Sequence, residues 1–481
     1  MLSLKDWLAT IGMTVNSQQS VKAIAVDSRE CDKDTWWLAE KGITHHALDF
    51  YQSDMAFAGI LFEPPYENPP KGAIAVLDLS SKISQLADVF YHHPSQKLRI
   101  IGVTGTDGKS SLVHFLAQGL DAAMLGTIGY GRLSHLQSAS HTTPNALHVQ
   151  SLLSDFVSNG AKVAAMEVSS HALMQNRVAA VTFDTAVFTN LSRDHLDYHQ
   201  TMEAYFQAKA KLFAYPLRHA IINLDDKYGQ RLVDEKYIHS SATIWGLTSQ
   251  LKKRPSNIHR FLSAKNIQLL NDGIAFTLEA DHESVKVQTP LLARFNIDNL
   301  LNVAACLLSG GLSLMQTAEV LSKLKGVPGR VEKIALGNKK NAIVDYAHTA
   351  GAIESVLTGI RPHVAGKLWL IFGCGGDRDR GKRPLMAASA EKFADEIVLT
   401  DDNPRTENPS EIIKDMISGL EHPENVHVVQ PRDAAIFYVL ERMKAGDTVL
   451  IAGKGHEDYQ IIGNQKTHFS DQETVHKWLN Q

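Results

Sequence analysis

From about residue 100 onward, short apolar runs alternate with stretches whose apolar residues recur at helical spacing. Short apolar runs bounded by turn residues read as buried strands, and strands alternating with amphipathic helices imply stacked βαβ units around a parallel sheet. The alternation occurs twice. The first series predicts strands at 99–105, 161–168, 183–191 and 219–224, after which 235–290 turns irregular and β-like. The second predicts strands at 341–346, 367–373, 395–400, 425–430 and 447–453, with helical patterns such as 410–421 between them.

Two such series and a smaller mixed unit before them predict three domains. The turn-rich stretch 91–97 marks one seam, and 323–332, with two glycines and a proline, reads as a linker at the other. Length agrees, because 481 residues exceed what one core supports and domains usually take about 100–200 residues. With 44% hydrophobic and 21% charged residues, the chain is ordinary globular material.

A net charge of -4 gives no broad basic field, so no nucleic-acid partner is expected and any anionic substrate must be gripped locally. The three cysteines, Cys31, Cys306 and Cys374, are odd in number and far apart, which suits neither a disulfide framework nor a four-thiolate zinc site. The opening residues carry Asp6 and no sustained apolar core, and no later run is long enough to cross a bilayer. The expectation is a cytoplasmic monomer without a membrane partner.

The candidate chemistry lies where predicted strands end. After the first strand comes Thr104-Gly105-Thr106-Asp107-Gly108-Lys109-Ser110-Ser111 and then a helical stretch. Glycines let backbone N–H groups surround phosphates, a lysine adds positive charge near the terminal phosphates, and a serine hydroxyl can ligate Mg²⁺. The strict Walker pattern wants glycine where this chain has Val103, so a motor or GTPase P-loop is not matched. The next strand delivers Glu167, a carboxylate that could help hold a hard cation. Further on lie the polar loop 190–199, with His195, and Ala208-Lys209-Ala210-Lys211-Leu212-Phe213.

Taken in order, these segments resemble the central domain of the Mur ligases. The likeness extends to both ends. Val26-Asp27-Ser28-Arg29 and His45-His46-Ala47 resemble the UDP-binding domain of the members that add diaminopimelate or lysine. Gly329-Arg330-Val331-Glu332, Asp345-Tyr346-Ala347-His348-Thr349, Gly375-Gly376-Asp377-Arg378-Asp379 and Gly453-Lys454-Gly455-His456-Glu457 follow in family order. The resemblance implies a small mixed α/β UDP-binding domain over 1–97, a central P-loop ATPase-like domain with a mainly parallel sheet over 98–327, and a Rossmann-like amino-acid-binding domain over 328–481.

It also implies roles for residues. ATP would lie against Thr104 to Ser111, with Asn296, Asn299, Arg330 and Asp345 as further nucleotide contacts, although an isolated asparagine such as Asn299 more often serves its own helix start. Mg²⁺ would be held through Ser110, Glu167 and His195, and Lys209, as a carbamate, would serve a second Mg²⁺. Lys211 competes for that modification, and the family pattern favours Lys209. Lys109, Lys209 and His195 would form the catalytic set. Ser28, His45, His46, Ala47, Thr142, Thr143, Ser169, Gln175 and Arg177 would hold the UDP-N-acetylmuramoyl dipeptide. Arg383, Asp402, Asn403, Pro404, Arg405, Gly453 and Glu457 would hold the incoming amino acid.

In this family Asp-Asn-Pro-Arg marks diaminopimelate users. A guanidinium can grip the second carboxylate that lysine lacks. The implied reaction is ATP-dependent addition of meso-2,6-diaminopimelate to the D-glutamyl carboxylate of UDP-N-acetylmuramoyl-L-alanyl-D-glutamate through an acyl phosphate, in peptidoglycan synthesis. Placing the two sites on separate domains predicts a closing motion hinged near 323–330. Two departures weaken neighbouring assignments: Ala350 stands where proline is usual, and His141 where asparagine is common. Competing readings are a lysine-adding or folate-polyglutamylating relative, a P-loop ATPase or kinase without ligation, and a dinucleotide oxidoreductase using Gly373 to Gly376. The last needs glycine at 378 and finds Arg378.

Overall fold

The computed structural model describes residues 2–42, 44–139, 141–250 and 253–481. Contacts divide the chain into two compact units, one running to Ser263 and including Leu301–Leu312, the other comprising Ala264–Leu300 and Ser313–Gln481. A finer division at 97/98 and 327/328 is our proposal for the domain plan. No helix among the described residues is long and apolar enough to cross a membrane.

In the first unit, the N-terminal part is a four-stranded parallel sheet in the order Ala23–Ala25, Thr35–Ala39, Gly59–Phe62 and Ile74–Ala75. The helices Leu4–Ala9 and Leu79–Phe90 bury Trp7, Leu8, Ile83 and Leu86 in a common core with Trp36, Leu38 and Leu61. The indole N–H of Trp7 donates to the Leu86 carbonyl, so even the polar edge of this large ring is satisfied.

The larger sheet of this unit runs in the order Thr243–Thr248, His219–Asn223, Thr185–Phe188, Arg99–Thr104, Val163–Glu167 and Ala123–Gly126, all parallel. The hairpin Gly129–Arg132 and His135–Gln137 closes one edge. Ile100, Ile101, Ala164, Ala165, Val187, Ile221 and Ile222 are all essentially buried, as unbroken apolar strands require when both faces are covered. Arg99–Thr104 comes first in the chain among these strands but sits in the middle. Successive strands then add to either side of it, so its carboxyl end is the switch point where open α/β sheets bind ligands.

The second unit holds a six-stranded sheet in the order Glu332–Gly337, Lys340–Asp345, Thr448–Ala452, Leu368–Phe372, Glu396–Leu399 and Val426–Val428, parallel except for the first pair. Separate apolar cores cover its two faces, one around Leu357, Leu370 and Met386, the other around Val344, Ile371, Ile436 and Val475. Between the cores a fully buried ion pair joins Arg432 and Asp471, with two bonds of 2.7 Å, and Arg432 also donates to the carbonyls of Asp401 and Ala452. The stretch that read as irregular and β-like contains the strand Thr243–Thr248 and the antiparallel hairpin Gly273–Ala280 and Glu283–Thr289. The segment read as a linker lies within the second unit and is packed: a Cβ on Gly329 would stand 2.1 Å from the His456 nitrogen, so only glycine permits the approach.

Candidate active site

In the first unit, the turn after Arg99–Thr104 wraps into the helix Lys109–Leu120 with Gly108 in the left-handed region at φ +82°. Gly105 lies so close to the neighbouring strand end that a Cβ would meet Thr189 Oγ1 at 1.9 Å. The turn is fastened from that side. Thr189 Oγ1 and Asn190 Nδ2 donate to the Asp107 carbonyl, and Asn190 Oδ1 accepts from the Asp107 N–H. Backbone amides at the head of a twelve-residue helix are thereby held ready for an anion.

Lys109 Nζ donates to the carbonyls of Gly105 and Thr106, at 3.0 and 2.7 Å. Lys209, only 2% exposed in the helix Met202–Ala210, donates to the same Gly105 carbonyl at 2.7 Å and lies 4.6 Å from the centre of the Tyr205 ring. Burial, reinforced by the charge of Lys109, pushes its amine well below the usual lysine range. Lys211 is exposed. Of the two lysines, then, Lys209 is the one whose surroundings favour the neutral amine that carbamate formation needs.

Glu167 ends its strand 1% exposed, with Oε1 accepting from the Thr127 N–H at 2.8 Å and Oε2 reaching only Thr127 Oγ1 at 3.5 Å. A network spreads from it. Thr127 Oγ1 pairs with Thr142 Oγ1, Thr143 Oγ1 donates to the Glu167 carbonyl, and the Ser169 N–H donates to Thr143 Oγ1. Arg177 donates to the Thr143 carbonyl at 2.6 Å and to Gln175 Oε1. Glu167, Thr142, Thr143, Ser169, Gln175 and Arg177 thus lie in one network, and the strand that ends at Glu167 pairs with the strand leading into the P-loop, Val103 opposite Glu167.

Sequence reading missed part of that region. His171 stands 5.1 Å from His195 and 4.2 Å from Tyr198, ring centre to ring centre, while His199 stacks on Tyr205 and bonds Ser170 Oγ. Burial first, then the neighbouring cationic groups, lowers the His171 imidazole below its ordinary value. The signal for His171 was position, since it falls just past the end of the strand Val163–Glu167. Glu40 was also missed. Burial and the charge of Glu63 raise its carboxyl, and Arg177 opposes them.

At the N-terminal sheet, Ser28 opens a short 3₁₀ turn capped by Asp27, and His45 is exposed. Ala47 N–H donates to the Glu40 carbonyl. His46 is buried and its ring is committed to the fold: Nδ1 accepts from the Leu48 N–H, which leaves Nε2 to donate to the Glu63 carbonyl. His141 meets Tyr130 through its backbone, so the exchange of asparagine for histidine leaves those bonds intact.

In the second unit, the carboxyl ends of four strands bring together Asp345, Gly375–Gly376, Asp402 to Arg405 and Gly453 to Glu457. Asp345 accepts from the N–H groups of Val331 and Ala347, and Arg330 lies 4.7 Å from the Tyr346 ring centre. Asn296 and Asn299 bond each other and the Leu292 carbonyl at the start of a helix, the local role open to them from sequence. Ala350 is the first residue of the helix Ala350–Ile360, a position where proline and alanine are both accommodated.

Asn403 ties these strand ends together: Oδ1 accepts from Lys454 and the Ile461 N–H, and Nδ2 donates to Glu457. Burial, then the charge of Asp402, raises the Glu457 carboxyl, with Lys454 opposing. Arg405, at φ +51°, donates to the Gly376 carbonyl at 2.7 Å. Arg383 is fully buried, and its terminal nitrogens are taken by Glu407, Asp415 and the Gly375 carbonyl. Gly376 itself sits where a Cβ would be 1.9 Å from the Pro404 carbonyl, so its turn packs directly on the loop that carries Asp402 to Arg405.

A phosphate-binding turn beside a buried lysine on one unit, and acidic and basic side chains gathered at the strand ends of the other, are the parts that an ATP-dependent ligase needs. Residues 103–307 match the model of the Mur ligase middle domain, and 329–455 that of the Mur ligase, glutamate ligase domain. The chain is 44% identical over 471 residues to the UDP-N-acetylmuramoyl-L-alanyl-D-glutamate--2,6-diaminopimelate ligase of Pseudomonas aeruginosa, and 42% identical over 471 residues to that of Pseudomonas putida; 95% of each chain is covered in both cases. A solved structure described as a UDP-N-acetylmuramoyl-L-alanyl-D-glutamate--2,6-diaminopimelate ligase superposes with a TM-score of 0.71 at 32% identity, covering 100% of this chain and 99% of that one. The chain belongs to the Mur ligase family.

Proposed function

We propose that this ligase joins meso-2,6-diaminopimelate to the D-glutamyl carboxylate of UDP-N-acetylmuramoyl-L-alanyl-D-glutamate, with conversion of ATP to ADP and phosphate, in the cytoplasmic stage of peptidoglycan synthesis. The observation that carries the reading is Arg405, set beside Asn403 and Glu457 at the strand ends of the second unit, where a guanidinium meets the second carboxylate of diaminopimelate and Glu457 its ammonium.

A carboxylate is a poor electrophile, so its oxygen first attacks the γ-phosphorus of ATP and ADP leaves. The amine of diaminopimelate then attacks the acyl phosphate, and the tetrahedral intermediate expels phosphate as the amide forms. The turn from Gly105 to Ser110 orients the nucleotide, and Lys109 leaves its loop carbonyls to meet charge developing on the transferring phosphoryl group. Thr142, Thr143, Ser169, Gln175 and Arg177 are the contacts we assign to the muramoyl dipeptide, with Ser28, His45 and Ala47 toward its UDP end; the His46 ring, bonded at both nitrogens, holds that loop in shape instead of reaching the ligand.

Hard oxygen donors suit Mg²⁺, and Glu167 keeps one carboxylate oxygen with only a long contact. Ser110, Glu167 and His195 would hold one ion and Lys209 as its carbamate a second, supplying charge neutralisation at the phosphates.

The test is phosphate release from ATP with the UDP-muramoyl dipeptide, comparing diaminopimelate with L-lysine. Release dependent on diaminopimelate, with a tripeptide product, is expected. Release with lysine alone would keep the family and overturn the role given to Arg405.

A further inference from the structure

Arg405 is held in place by a second loop. The Gly376 N–H donates to the Asn403 carbonyl at 2.9 Å, Arg405 Nη1 returns a bond to the Gly376 carbonyl at 2.7 Å, and the Thr406 N–H and hydroxyl both donate to the Asp377 carboxylate. The two loops are therefore laced together along their length, and the missing Cβ of Gly376 is what lets them touch.

Glu407 is the knot of this lacing. Its Oε1 accepts from the Asp377 N–H at 2.6 Å and from Arg383 Nη2 at 2.7 Å, and its Oε2 accepts from Arg383 Nη1 at 3.0 Å. Arg383 in turn donates to the Gly375 carbonyl and to Asp415, which Arg380 also grips. Glu407 follows Arg405 by two residues and touches the facing loop one residue beyond the carbonyl that Arg405 uses. Its carboxyl is held down at about 2, first by Arg383 and then by the Asp377 N–H, so the ionised form that makes these bonds is the one present at working pH.

We infer that Glu407, clamped by the buried Arg383, is a positioning residue that fixes where the Arg405 guanidinium stands and thereby sets the preference for an amino acid with a second carboxylate. The terminal nitrogens of Arg383 are what hold Glu407, Asp415 and the Gly375 carbonyl in this arrangement. This rests on the reading of Arg405 as the grip on diaminopimelate.

The test uses the full-length enzyme and the variants Glu407→Gln, Thr406→Val, Arg405→Ala and Glu407→Gln combined with Arg405→Ala. Gln keeps the size of Glu407 but replaces one acceptor by a donor facing Arg383 or the Asp377 N–H. KM for diaminopimelate should rise about tenfold or more in Glu407→Gln, a misplacement effect, while kcat at saturation and KM for ATP stay near those of the parent. Thr406→Val should shift KM the same way by less. In the Arg405→Ala background, Glu407→Gln should add nothing further, because there is no guanidinium left to place. A fall in kcat with unchanged KM, or full additivity of the two changes, would overturn the inference while leaving the proposed reaction standing. Absence of diaminopimelate-dependent turnover in the parent would instead overturn the proposed reaction and this inference with it.

Discussion

Lys109 and Lys209 converge on one acceptor: their Nζ atoms lie 3.0 and 2.7 Å from the carbonyl oxygen of Gly105. Two ammonium groups around one carbonyl repel, and the buried member gives up its charge more readily. Removing the two lysines should therefore have different consequences. Lys109→Ala should abolish phosphate release, since the phosphoryl group loses its nearest cation; near-parental ligation by this variant would sink the assignment.

Lys209 should be found as a carbamate. Incubated with carbon-13 bicarbonate near about pH 8, where an ordinary lysine is almost wholly protonated, the protein should show a carbamate carbon signal. The signal should vanish in Lys209→Ala and persist in Lys211→Ala. The reverse pattern would move the modification to the exposed lysine.

The helix behind the phosphate-binding turn should be sensitive to acid. Burial lowers the His114 imidazole to about 4, so the folded chain resists a proton that the unfolded chain accepts near 6.5. Between those values the unfolded state binds more protons, and stability falls as pH falls, by on the order of 3 kcal/mol once both are passed. Urea unfolding of the parent and of His114→Gln, followed from neutral pH to about pH 5, should show a shallower loss in the variant. Parallel curves would mean that His114 is not the group responsible.

In the second unit, Asp471→Asn should leave Arg432 buried with only part of its charge met. Breaking such a pair from one side costs about 3–5 kcal/mol. A lowered thermal midpoint with little change in KM for any substrate is expected, because neither residue belongs to the pocket. An unchanged midpoint would show that the Asp401 and Ala452 carbonyls suffice for Arg432.

Arg405→Ala should raise KM for diaminopimelate by about a hundredfold and narrow the margin over lysine, with ATP binding unaffected. Initial rates with each amino acid check this. A uniform fall in rate with both would argue for a structural effect.

The strands were legible because each is an apolar run with polar ends, and buried parallel strands have no other way to be written. Predicted limits of 99–105, 219–224 and 367–373 meet observed strands Arg99–Thr104, His219–Asn223 and Leu368–Phe372. Roles that depend on what lies across the fold were not legible. Nothing in the sequence near His46 says that both its nitrogens serve the backbone, or that Arg383 faces Glu407. Gly329 looked like linker composition, yet its lack of a side chain serves close contact with Gly455 and His456. Glycine marks flexibility and tight packing with the same letter, and only the neighbours distinguish them.

The placement of Arg99–Thr104 at the centre of its sheet has a consequence for how such a chain can change over time. The groups given a role in the larger sheet of the first unit gather at or beyond the carboxyl ends of its strands, whereas the amino ends carry connections and the structural pairing of Arg99 with Asp184. At the turn before Val163–Glu167, Gly160 has open space around its Cβ position. Its φ of +74° still favours glycine at that one position, so change on this side should collect at the exposed residues around it, while specificity should be rewritten on the other.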